Sequence, residues 1–116
     1  MSGRSERLKS QHSRVKSLEC PVTRCLVVIG GKWKPLLLFL IANGINRFGG
    51  IHRNMSSVSK HILTKDLREL EKAGVITRRV FAEVPPRVEY SLTPRGQSLM
   101  QVVRSMKRWG EFDLRS

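Results

Sequence analysis

Residues 56–74 read SSVSKHILTKDLRELEKAG, and the rest of the chain is best understood from them. Ser59 is placed to cap a helix, its hydroxyl accepting from a backbone N–H that the first turn leaves unpaired. Val58 before it and Leu63 within it have the spacing of a hydrophobic staple. Leu63, Leu67 and Leu70 then form one apolar stripe at helical period. Gly74 supplies the left-handed residue on which such helices close. The opposite face carries Lys60, His61, Thr64, Lys65 and Arg68. A helix docked by its leucines and showing that face suits a DNA major groove. A solvated surface helix has the same pattern, so the flanking segments decide.

Downstream of Gly74 the apolar period changes from helical to alternating. Residues 75–81 read as a strand, and Val88, Tyr90 and Leu92 alternate with Glu89 and Ser91 as a second, half-buried one. Pro85 and Pro86 cannot sit in a central ladder and mark the loop end of the hairpin. Arg87 stands near that tip, placed to reach a minor groove or a phosphate. Upstream, residues 49–55 allow two turns of helix, pinned by Phe48, Ile51 and Met55. Gly49 and Gly50 weaken it by about 1 kcal/mol each against alanine. Joined through Ser56-Ser57-Val58, the two helices make a helix-turn-helix, and the hairpin after them makes it winged.

Further elements flank this unit. Cys20-Pro21 opens a helix with Val22, Leu26 and Ile29 at helical spacing, stopped by Gly30-Gly31. A second helix restarts at Lys32 with Gly31 as its N-cap. Trp33, Leu36, Leu37, Phe39, Leu40 and Ile41 make it apolar nearly all round, as a central buried helix is, up to Asn43-Gly44. Thr93-Pro94 starts the last helix, with Leu99, Val102, Val103, Met106 and Trp109 as its stripe. That stripe serves the chain's own core and, with Met100 and Val103 beside it, a second copy. The expected fold is mainly α with a small β-hairpin (α+β), a winged helix-turn-helix with extra terminal helices for dimerisation. Residues 1–19 are polar and basic, either a frayed tail or an arm that touches DNA phosphates.

The chain has 116 residues, a one-domain length, and 22 Lys and Arg against nine Asp and Glu give it a net charge of +13. That balance favours nucleic acid as partner first and an anionic membrane second. Residues 35–42 are the best apolar run, a core-helix length too short to span a bilayer. The N-terminus has no apolar signal region, so a cytoplasmic location and no membrane partner are expected. Cys20 and Cys25 do not look like a disulfide framework. His12, His52 and His61 lack metal-ligand spacing, so neither metal nor cofactor is expected. Without a phosphate loop, nucleophile elbow or paired carboxylates, nothing points to an enzyme.

Several segments together resemble the HxlR-type winged-helix regulators, a group related in architecture to MarR. They are Cys20-Pro21-Val22, Ile29-Gly30-Gly31-Lys32-Trp33-Lys34, residues 58–64, Leu67-Arg68-Glu69-Leu70-Glu71 with Gly74, and residues 84–93 (VPPRVEYSLT) with Gly96. The resemblance covers residues 20–109, and the 84–93 wing with Gly-Gly-Lys-Trp is its most specific part. Gly49-Gly50 departs from the larger helix formers usual there. The resemblance implies a winged-helix DNA-binding and dimerisation domain over residues 20–116, and a homodimer formed by terminal helices. It also implies double-stranded DNA bound through the helix from Ser59 and the wing around Arg87. It names no small-molecule effector.

The expected function is a dimeric, sequence-specific transcriptional regulator on an inverted-repeat operator. Lys60, His61, Thr64, Lys65 and Arg68 are its candidate base and phosphate contacts. Cys20 has two readings. A thiol at a helix N-terminus feels the positive end of the dipole, with Arg24 nearby, and some members of the group sense thiol stress with a cysteine there. Free cysteines are also plain packing residues. The alternative function is a non-specific nucleic-acid binder, architectural or RNA-binding, which the charge equally permits.

Overall fold

The computed structural model describes residues 20–115, which fall into two compact units, one ending at Gly31 and one beginning at Lys32. The basic arm expected over residues 1–19 lies outside the described residues. In the first unit, α1 spans Pro21–Ile29. Cys20 is its extended N-cap, Pro21 occupies the first turn, and the Gly30 N–H closes the last turn on the Leu26 carbonyl. Val22, Leu26 and Val27 are exposed along it, while Ile29 is buried.

The second unit is built around α2, Lys34–Ala42, whose Leu37, Leu38, Leu40 and Ile41 are buried. It starts two residues later than the sequence suggests. Gly31 adopts φ +112°, a left-handed backbone that cannot serve as the extended N-cap of a helix at Lys32, and Trp33 takes the N-cap position instead. Pro35 still falls in the first turn, where its missing N–H costs nothing. Around α2 pack α3 (Phe48–Asn54), α4 (Lys60–Lys72), the hairpin of β1 (Ile76–Phe81) and β2 (Arg87–Leu92), and α5 (Pro94–Arg115). Ile51 and Met55 do anchor α3 in the core, so the two glycines are tolerated.

The joint between α4 and β1 explains another one-residue difference. The Gly74 N–H bonds the Glu71 carbonyl and the Val75 N–H bonds the Leu70 carbonyl, with Gly74 at φ +79°. These two bonds form a Schellman cap. Val75 is thus committed to the helix end, and the strand begins at Ile76. The hairpin is antiparallel, with Ile76 opposite Leu92 and Phe81 opposite Arg87. Asn46 and Arg47 add a short third edge: the Tyr90 N–H donates to the Asn46 carbonyl, and Arg47 bridges to Glu89.

Thr93 starts α5 by two bonds, donating to the Gly74 carbonyl at 2.7 Å and accepting from the Gly96 N–H at 3.0 Å. Gly96 lies so close to the Val75 carbonyl that this contact sets which side of α5 turns inward. Met100 and Val103 continue that side and are buried. The stripe expected from the sequence is therefore rotated. Leu99 and Val102 are half-buried, and Met106 and Trp109 are exposed at 43% and 66%.

Candidate nucleic-acid interface

The helix α4 is held as its sequence demands. The Ile62 N–H donates to Ser59 Oγ at 3.1 Å, and Val58 and Leu63 are both buried. Leu67 and Leu70 complete the inward side, so the outward one is set by the helical period alone. There Lys60, His61, Lys65 and Arg68 are exposed and Thr64 is half-buried. The preceding turn is fixed by His52, whose Nε2 lies 3.1 Å from the Val58 carbonyl and whose ring stacks near Phe48.

The cations of α4 are not equivalent. Lys65 Nζ is 3.2 Å from Glu69 and 3.9 Å from Asp66, so part of its charge is answered within the helix. Glu69 also holds Lys34 of α2 at 2.7 Å. The hydrogen bond from Lys34, then that from Lys65, keeps its carboxyl below the usual glutamate range. Among the described residues, Lys60 and Arg68 have no acidic partner. With Lys72 at the end of the helix, also exposed and without an acidic partner among the described residues, they are the α4 cations most available to a polyanion.

On the wing, Arg87 sits at the loop end of β2, as the sequence suggests, but it is not extended. Its guanidinium lies 4.0 Å from the Phe81 ring centre, 3.0 Å from Glu83 and 3.5 Å from Glu89. Sequence reasoning missed three cations nearby. Arg79 lies 4.7 Å over the same ring, Arg78 is exposed beside it, and Arg47 bonds Glu89 at 3.2 Å. The adjacent pair Arg78-Arg79 was the available signal.

Each unit has one further feature. Cys20 is half-buried and free, as is Cys25. No side-chain capping hydrogen bond closes at Cys20, yet the Thr23 backbone N–H and then its hydroxyl favour the thiolate and hold the thiol below the usual cysteine range. On the second unit, Pro35, Leu36, Phe39, Val103 and Met106 line an open apolar groove of about 310 Å³ between α2 and α5. Among the described residues no cluster of His, Cys, Asp or Glu is arranged to hold a metal, and no single helix is long and apolar enough to cross a membrane.

Residues 28–116 match the HxlR-like helix-turn-helix family. The chain belongs to that family. YdeP of Bacillus subtilis, an HTH-type transcriptional regulator, is 48% identical over 92 residues, 79% of this chain and 72% of YdeP. The redox regulator HypR superposes in its reduced form with a TM-score of 0.78 at 46% identity, covering 81% of this chain and 93% of HypR. Its oxidised form gives 0.76 at 48% identity, covering 79% and 95%. Diamide-treated YodB from B. subtilis gives 0.66 at 30% identity, covering 79% and 92%. This HxlR-family chain is a transcriptional regulator of helix-turn-helix type, with the winged fold and MarR-like architecture of its group.

Proposed function

We propose that this HxlR-family regulator binds an inverted-repeat operator as a homodimer, residues 20–116 serving as its DNA-binding and dimerisation domain. The observation that carries the reading is the outward face of α4, capped by Ser59, docked by three leucines and cationic, beside an arginine-rich wing. Lys60, His61, Thr64, Lys65 and Arg68 enter the major groove, and the wing around Arg87 follows the phosphates. Two copies present their α4 helices roughly 34–36 Å apart, one turn of duplex. The exposed Met106, Trp109 and Phe112, which fall on one broad side of α5 at helical spacing, support the pairing, since a monomer rarely leaves several large apolar side chains on one side uncovered.

Cys20 makes the binding responsive to thiol stress. Its thiolate attacks a low-molecular-weight disulfide, forming a mixed disulfide and releasing one thiol; a cysteine thiolate of the second copy can then attack that mixed disulfide, forming an inter-subunit disulfide and releasing the other thiol. Cys25 is five residues along the same chain at the far side of a helical turn, a poor partner for an internal bridge. Two solved relatives that carry redox names or treatments support this role, as do the half-exposure of Cys20 and its Thr23 contacts.

The test is binding-site selection from genomic DNA at physiological salt, with reduced and then oxidised protein. A single enriched inverted repeat, lost on oxidation and restored by thiol, is expected. The same repeat in both states removes the Cys20 role and keeps the regulator. No enrichment, with equal affinity for unrelated duplexes, replaces the regulator with a non-specific binder.

A further inference from the structure

The DNA-binding reading leaves one charge on the wing without a use. Glu89 stands on the outer side of the hairpin, directly across from Arg79. A carboxylate there repels a polyanion, and its pair with the exposed Arg47 contributes little stability, while the contact with Arg87 is between two half-buried side chains. Its surroundings suggest another purpose. Its Oε2 accepts from Arg47 Nη2 at 3.2 Å, and Arg87 Nη1 lies 3.5 Å from the same oxygen. Phe81, on the same side of the hairpin and paired with Arg87, carries two guanidiniums: Arg87 at 4.0 Å and Arg79 at 4.7 Å from its ring centre. Glu83 holds Arg87 from the loop at 3.0 Å. Arginines from three neighbouring stretches, β1, β2 and the edge at Asn46-Arg47, thus gather on one carboxylate and one ring.

Arg47 is also the N-cap of α3, the first helix of the helix-turn-helix. The Arg47–Glu89 contact therefore ties the wing to the helix pair that carries α4. Three cations against two carboxylates leave the cluster positive. A long cationic side chain loses rotamer freedom when it grips a phosphate, and one that is already ordered loses less.

We propose that Glu89 is a positioning residue of the DNA interface. With Phe81 it pre-orders Arg47, Arg79 and Arg87 as a single phosphate-gripping cluster and fixes that cluster to the helix-turn-helix. The proposal rests on the DNA-binding reading above and adds which wing residues act through others.

Coulomb repulsion and positioning predict opposite signs, so one substitution separates them. Removing a carboxylate from a DNA-facing surface tightens binding if charge alone matters. Positioning predicts the reverse: Glu89→Gln weakens duplex binding about tenfold. The slope of log affinity against log salt becomes shallower, because unanchored arginines no longer all reach phosphates. The unfolding midpoint stays at the wild-type value, a result that a purely structural role would not give. Phe81→Leu keeps every charge and removes the ring beneath Arg79 and Arg87. It weakens binding in the same way, and it decides the matter if Glu89→Gln proves poorly folded. Affinity that is unchanged or increased in the folded variants overturns the positioning role while leaving the regulator intact. A wild-type chain that binds no duplex at all overturns both.

Discussion

Cys20 owes its chemistry to its immediate neighbours. Pro21 fixes the helix start immediately after it, and Thr23 brings a backbone N–H and a hydroxyl toward its sulfur. Both contacts favour the anion, so the thiol titrates below an ordinary cysteine. Its thiolate is consequently populated at lower pH, and alkylation reaches its plateau earlier on raising the pH. Thr23→Val removes the hydroxyl and shifts that rise back toward alkaline pH, so iodoacetamide labelling of Cys20 at neutral pH slows by a few-fold. Mass spectrometry of the Cys20 and Cys25 peptides over a pH series follows it. Equal rates in wild type and variant would remove the Thr23 hydroxyl from the account and leave its backbone N–H. The same locality made Cys20 visible in the sequence as an N-cap before proline. It hid the wing cluster, because Glu89 meets Arg47 only through a cross-strand register that no local pattern specifies.

The elements are governed by their ends and by one close approach. Ser59 caps α4 through a single hydrogen bond, and Ser59→Ala costs about 1 kcal/mol of stability. Gly96 packs against backbone, where an alanine methyl would collide with the Val75 carbonyl oxygen. The backbone of two elements must then part, so Gly96→Ala costs about 1–3 kcal/mol. Urea unfolding of the two variants ranks them. A Gly96→Ala protein as stable as wild type would mean that α5 shifts freely on the hairpin. Caps and stops were legible because each is decided within about one helical turn. Val75 was misassigned to the strand because the Schellman cap takes its N–H, and hydrophobic alternation is blind to hydrogen bonding. The side of α5 that faces inward was misjudged for a different reason. Its apolar residues cover a broad arc, and the part that meets the core is selected by tertiary contacts, the close approach of Gly96 to Val75 and the packing of Met100 and Val103.

At the scale of the whole molecule, the unselected part of that arc is what remains for a partner. From Arg104 to Arg115 every residue but Gly110 is exposed, so the end of α5 runs clear of the chain's own core. Met106 lines the groove beside α2 without belonging to the buried core. Met106→Glu places a charge in the proposed subunit contact and leaves the fold in place. Sedimentation should then find a monomer with near wild-type thermal stability. Operator affinity should fall by at least about a hundredfold, since each half-site is bound alone. A variant that stays dimeric would move the contact elsewhere on the surface. What the sequence determined by itself was everything carried by short-range periodicity and local backbone chemistry. That includes the order of helices and hairpin, the capped α4, its leucine side and its cationic side, and the cysteine before the first proline. The tertiary structure alone decided the rest. It tied Lys65 back through Glu69 to Lys34, drew Arg87 onto Phe81 and Glu89, and rotated α5 so that Met106 and Trp109 face outward. These depend on contacts between residues far apart in the chain, and a contact of that kind exists only once packing has set register and rotation.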